Sequence, residues 1–117
     1  MSKIVITGGA DFIGSHIAES LAKEGHEIVI VDNLDPYYSV DLKQRNLDIV
    51  LESGDATFIN ADVTDLDKMK EIIDITVDYV YHEAAQAGVR ISVEDPFKPN
   101  NVNVVGTLNV LQASLDA

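Results

Sequence analysis

Apolar residues come in short bursts along this chain, and the spacing inside each burst predicts alternating strands and helices. Lys3 to Thr7 is β-branched and apolar and is closed by Gly8-Gly9, so it reads as a buried strand. Phe12, Ile13, Ile17 and Leu21 follow at helical spacing, with Gly25 as the stop. Glu27 to Val31 predicts a second strand ending at Asp32, and Asn33 to Ser39, with Pro36, a loop. Leu42, Leu47, Val50 and Leu51 predict a helix closing at Gly54. Thr57 to Asn60 reads as a third strand, Leu66, Met69, Ile72 and Ile73 as a helix, and Thr76 to Tyr81 as a fourth strand. The segment Glu83 to Glu94 is polar, Ala-rich and contains Gly. Asp95-Pro96 has the form of an N-cap followed by proline at the first helical position. From there Val104, Leu108, Leu111 and Leu115 recur at helical spacing to Ala117. Gly106 interrupts that helix at a cost of about 1 kcal/mol relative to Ala, a cost often kept where a backbone or ligand comes close.

The β-α-β-α-β-α-β-α order calls for parallel strands joined by right-handed crossovers. Strands without polar alternation agree, because a parallel sheet is covered on both faces. The expected fold class is therefore α/β, a doubly wound parallel sheet of Rossmann type. It is partial, with four strands in the order 3-2-1-4.

Composition adds exclusions. One domain fits 117 residues. Twenty Asp and Glu stand against eight Lys and Arg, for a net charge of -12. That argues against nucleic acid or an anionic membrane as the main partner. A phosphate would have to be held by local backbone amides. The chain has no Cys, which excludes disulfides, thiolate nucleophiles and thiolate metal sites. The run Ile28-Val29-Ile30-Val31 is too short to span a bilayer, and Met1-Ser2-Lys3 leads into a strand with no signal-like apolar region. A cytoplasmic location is expected.

The chemistry gathers around the first turn. The run Thr7-Gly8-Gly9-Ala10-Asp11-Phe12-Ile13-Gly14 puts glycines between a strand and a helix, where backbone N–H groups and the helix dipole favour a pyrophosphate. Asp32 falls where a dinucleotide fold carries its acidic ribose ligand, and no Arg or Lys within Asn33 to Ser39 invites a 2′-phosphate. NAD is the expected cofactor. Asp11 breaks the pattern, since the common glycine spacings place their middle glycine there. Its carboxylate could accept the helix N–H groups the phosphates need. Repulsion between unit charges about 4 Å apart is about 1 kcal/mol in water and about 4 at intermediate dielectric. That corresponds to anything from a minor loss to several hundredfold in affinity. The other reading makes Asp11 an N-cap directed at solvent.

With these residues in place, the chain resembles the N-terminal, NAD-binding half of the extended short-chain dehydrogenases/reductases, in the NAD-dependent epimerase/dehydratase family. The resemblance is carried by Thr7 to His16, Val31-Asp32-Asn33-Leu34, Ala61-Asp62-Val63-Thr64-Asp65, His82-Glu83-Ala84-Ala85-Gln86 and Asn103-Val104-Val105-Gly106-Thr107. The stretch Ala84 to Arg90 is most similar to nucleotide-sugar 4-epimerases acting on UDP-glucuronate or UDP-glucose. The resemblance implies a pyrophosphate turn of Gly8, Ala10, Phe12, Ile13 and Gly14, with Asp32 and Asn33 at the ribose and adenine edge. It implies adenine contacts for Asp62 and Val63, against which stands a plainer role for Asp62 in capping the loop before the Leu66 helix. Ala84, Ala85 and Gln86 would lie along the nicotinamide. Arg90 would meet a sugar carboxylate or phosphate, or make a surface ion pair. Asn103 would organise the site from its helix, or simply face solvent.

Family enzymes also use a Tyr-x-x-x-Lys pair, the Tyr as base toward the sugar 4-hydroxyl. Tyr37, Tyr38, Tyr79 and Tyr81 are followed four residues later by Asp41, Leu42, Glu83 and Ala85. The expectation is a Rossmann half-domain over residues 1–117, lacking the catalytic segment and the substrate domain and inactive alone. The alternatives are a standalone nucleotide-binding module and a truncated fold that binds nothing tightly. His16, His26 and His82 share no metal-ligand spacing, and no metal is expected. The fourth strand would become a sheet edge, so self-association through it is expected.

Overall fold

The computed structural model describes residues 1–35, 39–85 and 94–117. Strands β1 (Lys3–Thr7), β2 (Glu27–Asp32), β3 (Ala56–Asn60) and β4 (Tyr79–His82) form one sheet, in the order β3-β2-β1-β4. All three pairings are parallel, with Val5 opposite Val29 and Val80, and Val29 opposite Thr57. Helices α1 (Phe12–Lys23), α2 (Val40–Ser53) and α3 (Leu66–Ile72) fill the crossovers. After β4 come α4 (Phe97–Asn100), a π-helical segment over Asn101–Val105, and α5 (Gly106–Asp116).

The period of two along each strand explains why these runs are apolar throughout. Ile4, Ile6, Ile28 and Ile30 point to one face and pack with Ala18 and Ala22 of α1 and Leu47 and Val50 of α2. Val5, Val29 and Val31 point to the other, against Met69 and Ile72 of α3 and Val110 and Ala113 of α5. With both faces covered, no position of β1 or β2 inside the sheet can remain polar until Thr7 and Asp32, at the carboxyl ends.

Three expectations change. The fourth strand begins at Tyr79, not Thr76, because the Asp74 carboxylate accepts from both the amide and the hydroxyl of Thr76 and turns the chain there. Asp78 then locks the strand entrance: its amide donates to the Lys3 carbonyl and its carboxylate accepts from the Lys3 amide, both at 2.8 Å. In the final helix, the stripe that predicts the helix is not the one it buries. Val104, Leu108, Leu111 and Leu115 are all exposed, whereas Gly106, Asn109, Val110 and Ala113 face the protein. The small residues let α5 come close; a Cβ at Gly106 would stand 2.6 Å from Val63 Cγ2. The glycine is thus kept for packing. The start of α4 also shifts by one residue: Pro96 takes the N-cap position, not the first helical one, and Asp95 stands before it, accepting from the Phe97 amide at 3.2 Å.

Candidate functional site

The carboxyl ends of the four strands open into one cleft, the place where an open α/β sheet offers loops and helix N-termini to a ligand. Gly8 after β1, Val31 and Asp32 of β2, and Asn33 line it. So do Asp62 and Val63 after β3, Ala84 and Ala85 after β4, and Val102 of the π-helical segment.

The glycine turn is tight for reasons its backbone shows. Gly8 has φ +70°, and a Cβ there would lie 2.8 Å from the Ala84 amide nitrogen. Gly14 sits so close to the turn that a Cβ would strike the Gly8 carbonyl oxygen. Its neighbours Phe12 and Ile13 are exposed at the start of α1. Ala10 is fully buried, and its amide donates to Asp32 Oδ2 at 3.2 Å. Its carbonyl accepts from Asn46 Nδ2 of α2 at 3.0 Å. Asp32 also accepts from the Leu34 amide at 2.7 Å, which holds Leu34 at φ +55°, a left-handed conformation costly for a leucine. The Asp32 side chain, 3% exposed, is thereby aimed at the turn.

Asp11 follows neither of the two readings its position allows. Its backbone caps α1, but its side chain accepts no helix N–H. Nor is it directed only at solvent: the side chain is 33% exposed, but its carboxylate turns into the cleft, with Oδ1 3.1 Å from the Nζ of Lys43. Lys43 lies 3.4 Å from Asp32 Oδ1 as well, and its side chain is 5% exposed. It therefore bridges two carboxylates from inside the protein. Asp11 Oδ1 is buried, and Lys43 is its partner, through charge and a poorly aligned contact at 3.1 Å. Burial is the largest influence on the Asp11 carboxyl and raises its pKa. The pull of Lys43 opposes this, Asp32 and Asp35 push the same way as burial, and the net result lies above the ordinary value.

Lys43 lies beyond Asn33 to Ser39, the stretch after Asp32 in which a cation would be sought by sequence alone. The signal was nonetheless present: Lys43 precedes Leu47 by four residues and Val50 by seven, on the buried stripe of α2. Leu42 and Leu51, read as part of that stripe, are exposed. A lysine at helical spacing with core residues has its charge answered inside the protein.

Asp62 holds its loop. It accepts from the amide and hydroxyl of Thr64 at 2.9 and 2.8 Å, and from Asn33 Nδ2 at 3.0 Å. Burial works against its ionised form, but these bonds outweigh it and keep its pKa below the ordinary value. Asp65, three residues on, is the side-chain cap of α3, accepting from the Lys68 amide at 3.1 Å. Val63 is buried, and its carbonyl accepts from Asn109 Nδ2 at 3.0 Å. That makes Asn109, which the sequence reading passed over, the helix asparagine that steadies the cleft. Asn103 is exposed and does not line the cleft. Gln86 and Arg90 lie outside the described residues.

Behind Ala84 runs a polar relay. The Ala84 amide donates to Thr7 Oγ1 at 3.2 Å, and Thr7 Oγ1 lies 2.6 Å from His82 Nδ1. On the far side His82 Nε2 lies 3.0 Å from Thr107 Oγ1, whose proton goes to the Asn103 carbonyl at 2.6 Å. Thr107 can then only accept from the ring. This assigns the proton to Nε2 and makes Nδ1 the acceptor for the Thr7 hydroxyl. Burial lowers the His82 pKa, in keeping with a neutral ring. Among the described residues, no group of three His, Asp or Glu is placed to hold a metal ion.

Comparison with known proteins adds the following. Residues 4–117 match the NAD dependent epimerase/dehydratase family. The UDP-glucuronate 4-epimerase of Thermodesulfobacterium geofontis is 38% identical over 117 residues, covering 99% of this chain and 36% of that protein. Protein CapI of Staphylococcus aureus is 41% identical over 113 residues, or 96% of this chain and 34% of that one. The chain thus spans about a third of the length of the curated relatives it matches. The crystal structure of UDP-glucose-4-epimerase from Stenotrophomonas maltophila, with bound NAD and formylated UDP-arabinopyranose, superposes with a TM-score of 0.83 at 31% identity. It covers 100% of this chain and 34% of that one.

Proposed function

Because the chain belongs to the NAD-dependent epimerase/dehydratase family, we propose that it is the NAD-binding portion of a nucleotide-sugar 4-epimerase. The observation carrying this reading is Asp32, buried at the end of β2 with its carboxylate 3.2 Å from the Ala10 amide of the glycine turn. Ribose hydroxyls would bond to that carboxylate, with Asn33 beside it. Asp62 and Val63 would flank the adenine, and the amides of the Gly8–Gly14 turn would receive the diphosphate. The close approach at Gly8 and Gly14 fits such a ligand; the Asp11 carboxylate does not help it. Ala84, Ala85 and Gln86 are assigned to the nicotinamide end, Arg90 to the sugar nucleotide, and Asn103 to the frame of that end.

NAD, when bound, supplies an acceptor that takes hydride from the sugar C4 and returns it with inversion. UDP-glucuronate or UDP-glucose is the sugar nucleotide that the Ala84 to Arg90 stretch and the named relatives favour. No tyrosine of the chain is followed four residues later by lysine, so the 117 residues alone should not turn over substrate. The β4 edge, with Tyr79 and Tyr81 exposed, supports pairing between copies. We assign the protein to the cytoplasm; no helix among the described residues is long and apolar enough to cross a membrane.

Amide-resolved NMR of the chain during addition of NAD tests the assignment. Shifts should concentrate at Gly8 to Gly14, Asp32, Asn33 and Val63, with no conversion of UDP-glucose or UDP-glucuronate. Shifts confined elsewhere, or turnover by the chain alone, would overturn it.

A further inference from the structure

The cleft carries more negative charge than a diphosphate site should. Asp11, Asp32, Asp35 and Asp62 line it, and the cation among the described lining residues is Lys43. Lys43 is already shared between Asp11 and Asp32, at 3.1 and 3.4 Å. Asp35 is paired outward, with Lys98 Nζ of α4 at 2.7 Å. Asp62 is tied to Thr64 and Asn33. Asp11 differs from these three: its side chain is 33% exposed at the cleft, while Oδ1 is buried against Lys43 and meets no well-aligned donor among the described residues. It belongs to the turn whose amides a diphosphate would need.

From this we infer that Asp11 and Lys43 form a charge gate selecting against phosphate: Asp11 is the internal anion of the cleft, and a dinucleotide binds only by displacing it from Lys43. The inference rests on the reading of this cleft as a nucleotide site. It goes further, because it predicts which adenine ligands the site prefers. A neutral nucleoside leaves the Asp11–Lys43 pair intact and needs only the Asp32, Asn33 and Asp62 side of the cleft. A dinucleotide brings two more negative charges toward the same lysine and must overcome the repulsion of Asp11. Removing the Asp11 charge leaves Lys43 buried beside Asp32 and able to face the phosphates.

Calorimetric titration of the 117-residue chain with NAD and with adenosine tests the gate. Asp11→Asn, which keeps the side-chain size, should tighten NAD about tenfold or more and leave adenosine within about twofold. Adding Lys43→Met to Asp11→Asn should remove the gain for NAD. Asp11→Gly serves as a second variant, should the amide itself disturb the turn, and should behave like Asp11→Asn. NAD binding that Asp11→Asn and Asp11→Gly leave unchanged would overturn the gate while the nucleotide reading stands. Equal tightening of NAD and adenosine would also overturn it, since Asp11 would then act on the cleft as a whole. Binding of neither compound to any variant would overturn the nucleotide reading and the gate with it.

Discussion

The two flanks of the central strand β1 are built on different terms. On the β2 side the large residues of β2 are buried and Phe58 and Ile59 of the β3 edge are partly covered, α1 and α2 close over Ile28 and Ile30, and the polar groups at the strand ends answer one another through Ala10, Lys43 and Asn46. On the β4 side the sheet ends in a strand with Tyr79 60% and Tyr81 41% exposed, and α5 turns Leu108, Leu111 and Leu115 to solvent. The sequence is apolar on both flanks. Apolar character alone therefore does not say where a core is. Burial follows from which element stands opposite, and on the β2 side the crossover helices supply it.

The largest expected effect sets a residue from each flank against the other. Ile30→Ala, in the covered layer, should cost about 2–5 kcal/mol in urea unfolding. Leu111→Ala, on the open face of α5, should change stability by no more than about 0.5 kcal/mol. Comparable losses at both would show that α5 is covered in solution, for example by a second copy.

Next in size is the His82 relay. His82→Ala leaves the Thr7 hydroxyl without its acceptor and should cost about 1–3 kcal/mol at pH 7. Because burial lowers the folded pKa of His82, its contribution is full above the unfolded value of about 6.5 and is lost as pH falls through the folded one. Melting temperature should therefore decline on acidification, and less so in His82→Gln. Asn109→Ala should cost about 1 kcal/mol by the same assay, since it releases the Val63 carbonyl inside the protein.

The smallest effect lies on the β2 side and has the opposite sign. The folded pKa of Asp11 is raised, so the stability of its protonated form is complete below about 3.8 and is lost as pH rises through the folded value. Asp11→Asn should thus gain a degree or a few in melting temperature at neutral pH, and nothing near pH 4. A loss at neutral pH would mean that the Lys43 attraction outweighs burial.

How much of this was legible beforehand follows from the same contrast. The strand order and the position of Asp32 could be read because Val and Ile runs between glycines have one physical meaning in a sheet covered on both faces. The start of β4 could not, since Thr76 to Tyr81 is as β-branched as a strand and only the Asp74 side chain stops it short. Lys43 was readable through its helical spacing to Leu47 and Val50, but not through its distance in sequence from Asp32. The direction of α5 was hidden because leucines mark a helix, while Gly106 and Ala113 decide which side of it comes close. Asp11 stands out as the departure from the glycine pattern, yet its turn toward Lys43 depends on α2, a helix distant in sequence.

On the function proposed above, this chain builds the adenosine side of a dinucleotide site from its covered flank. The most direct measurement compares NAD with ADP-ribose, which lacks only the nicotinamide, as ligands of the same chain. Affinities within about threefold of each other are predicted, because Asp32, Asn33 and Asp62 are assigned to the part the two share. NAD binding ten or more times tighter than ADP-ribose would contradict the claim and move the binding energy to the β4 side.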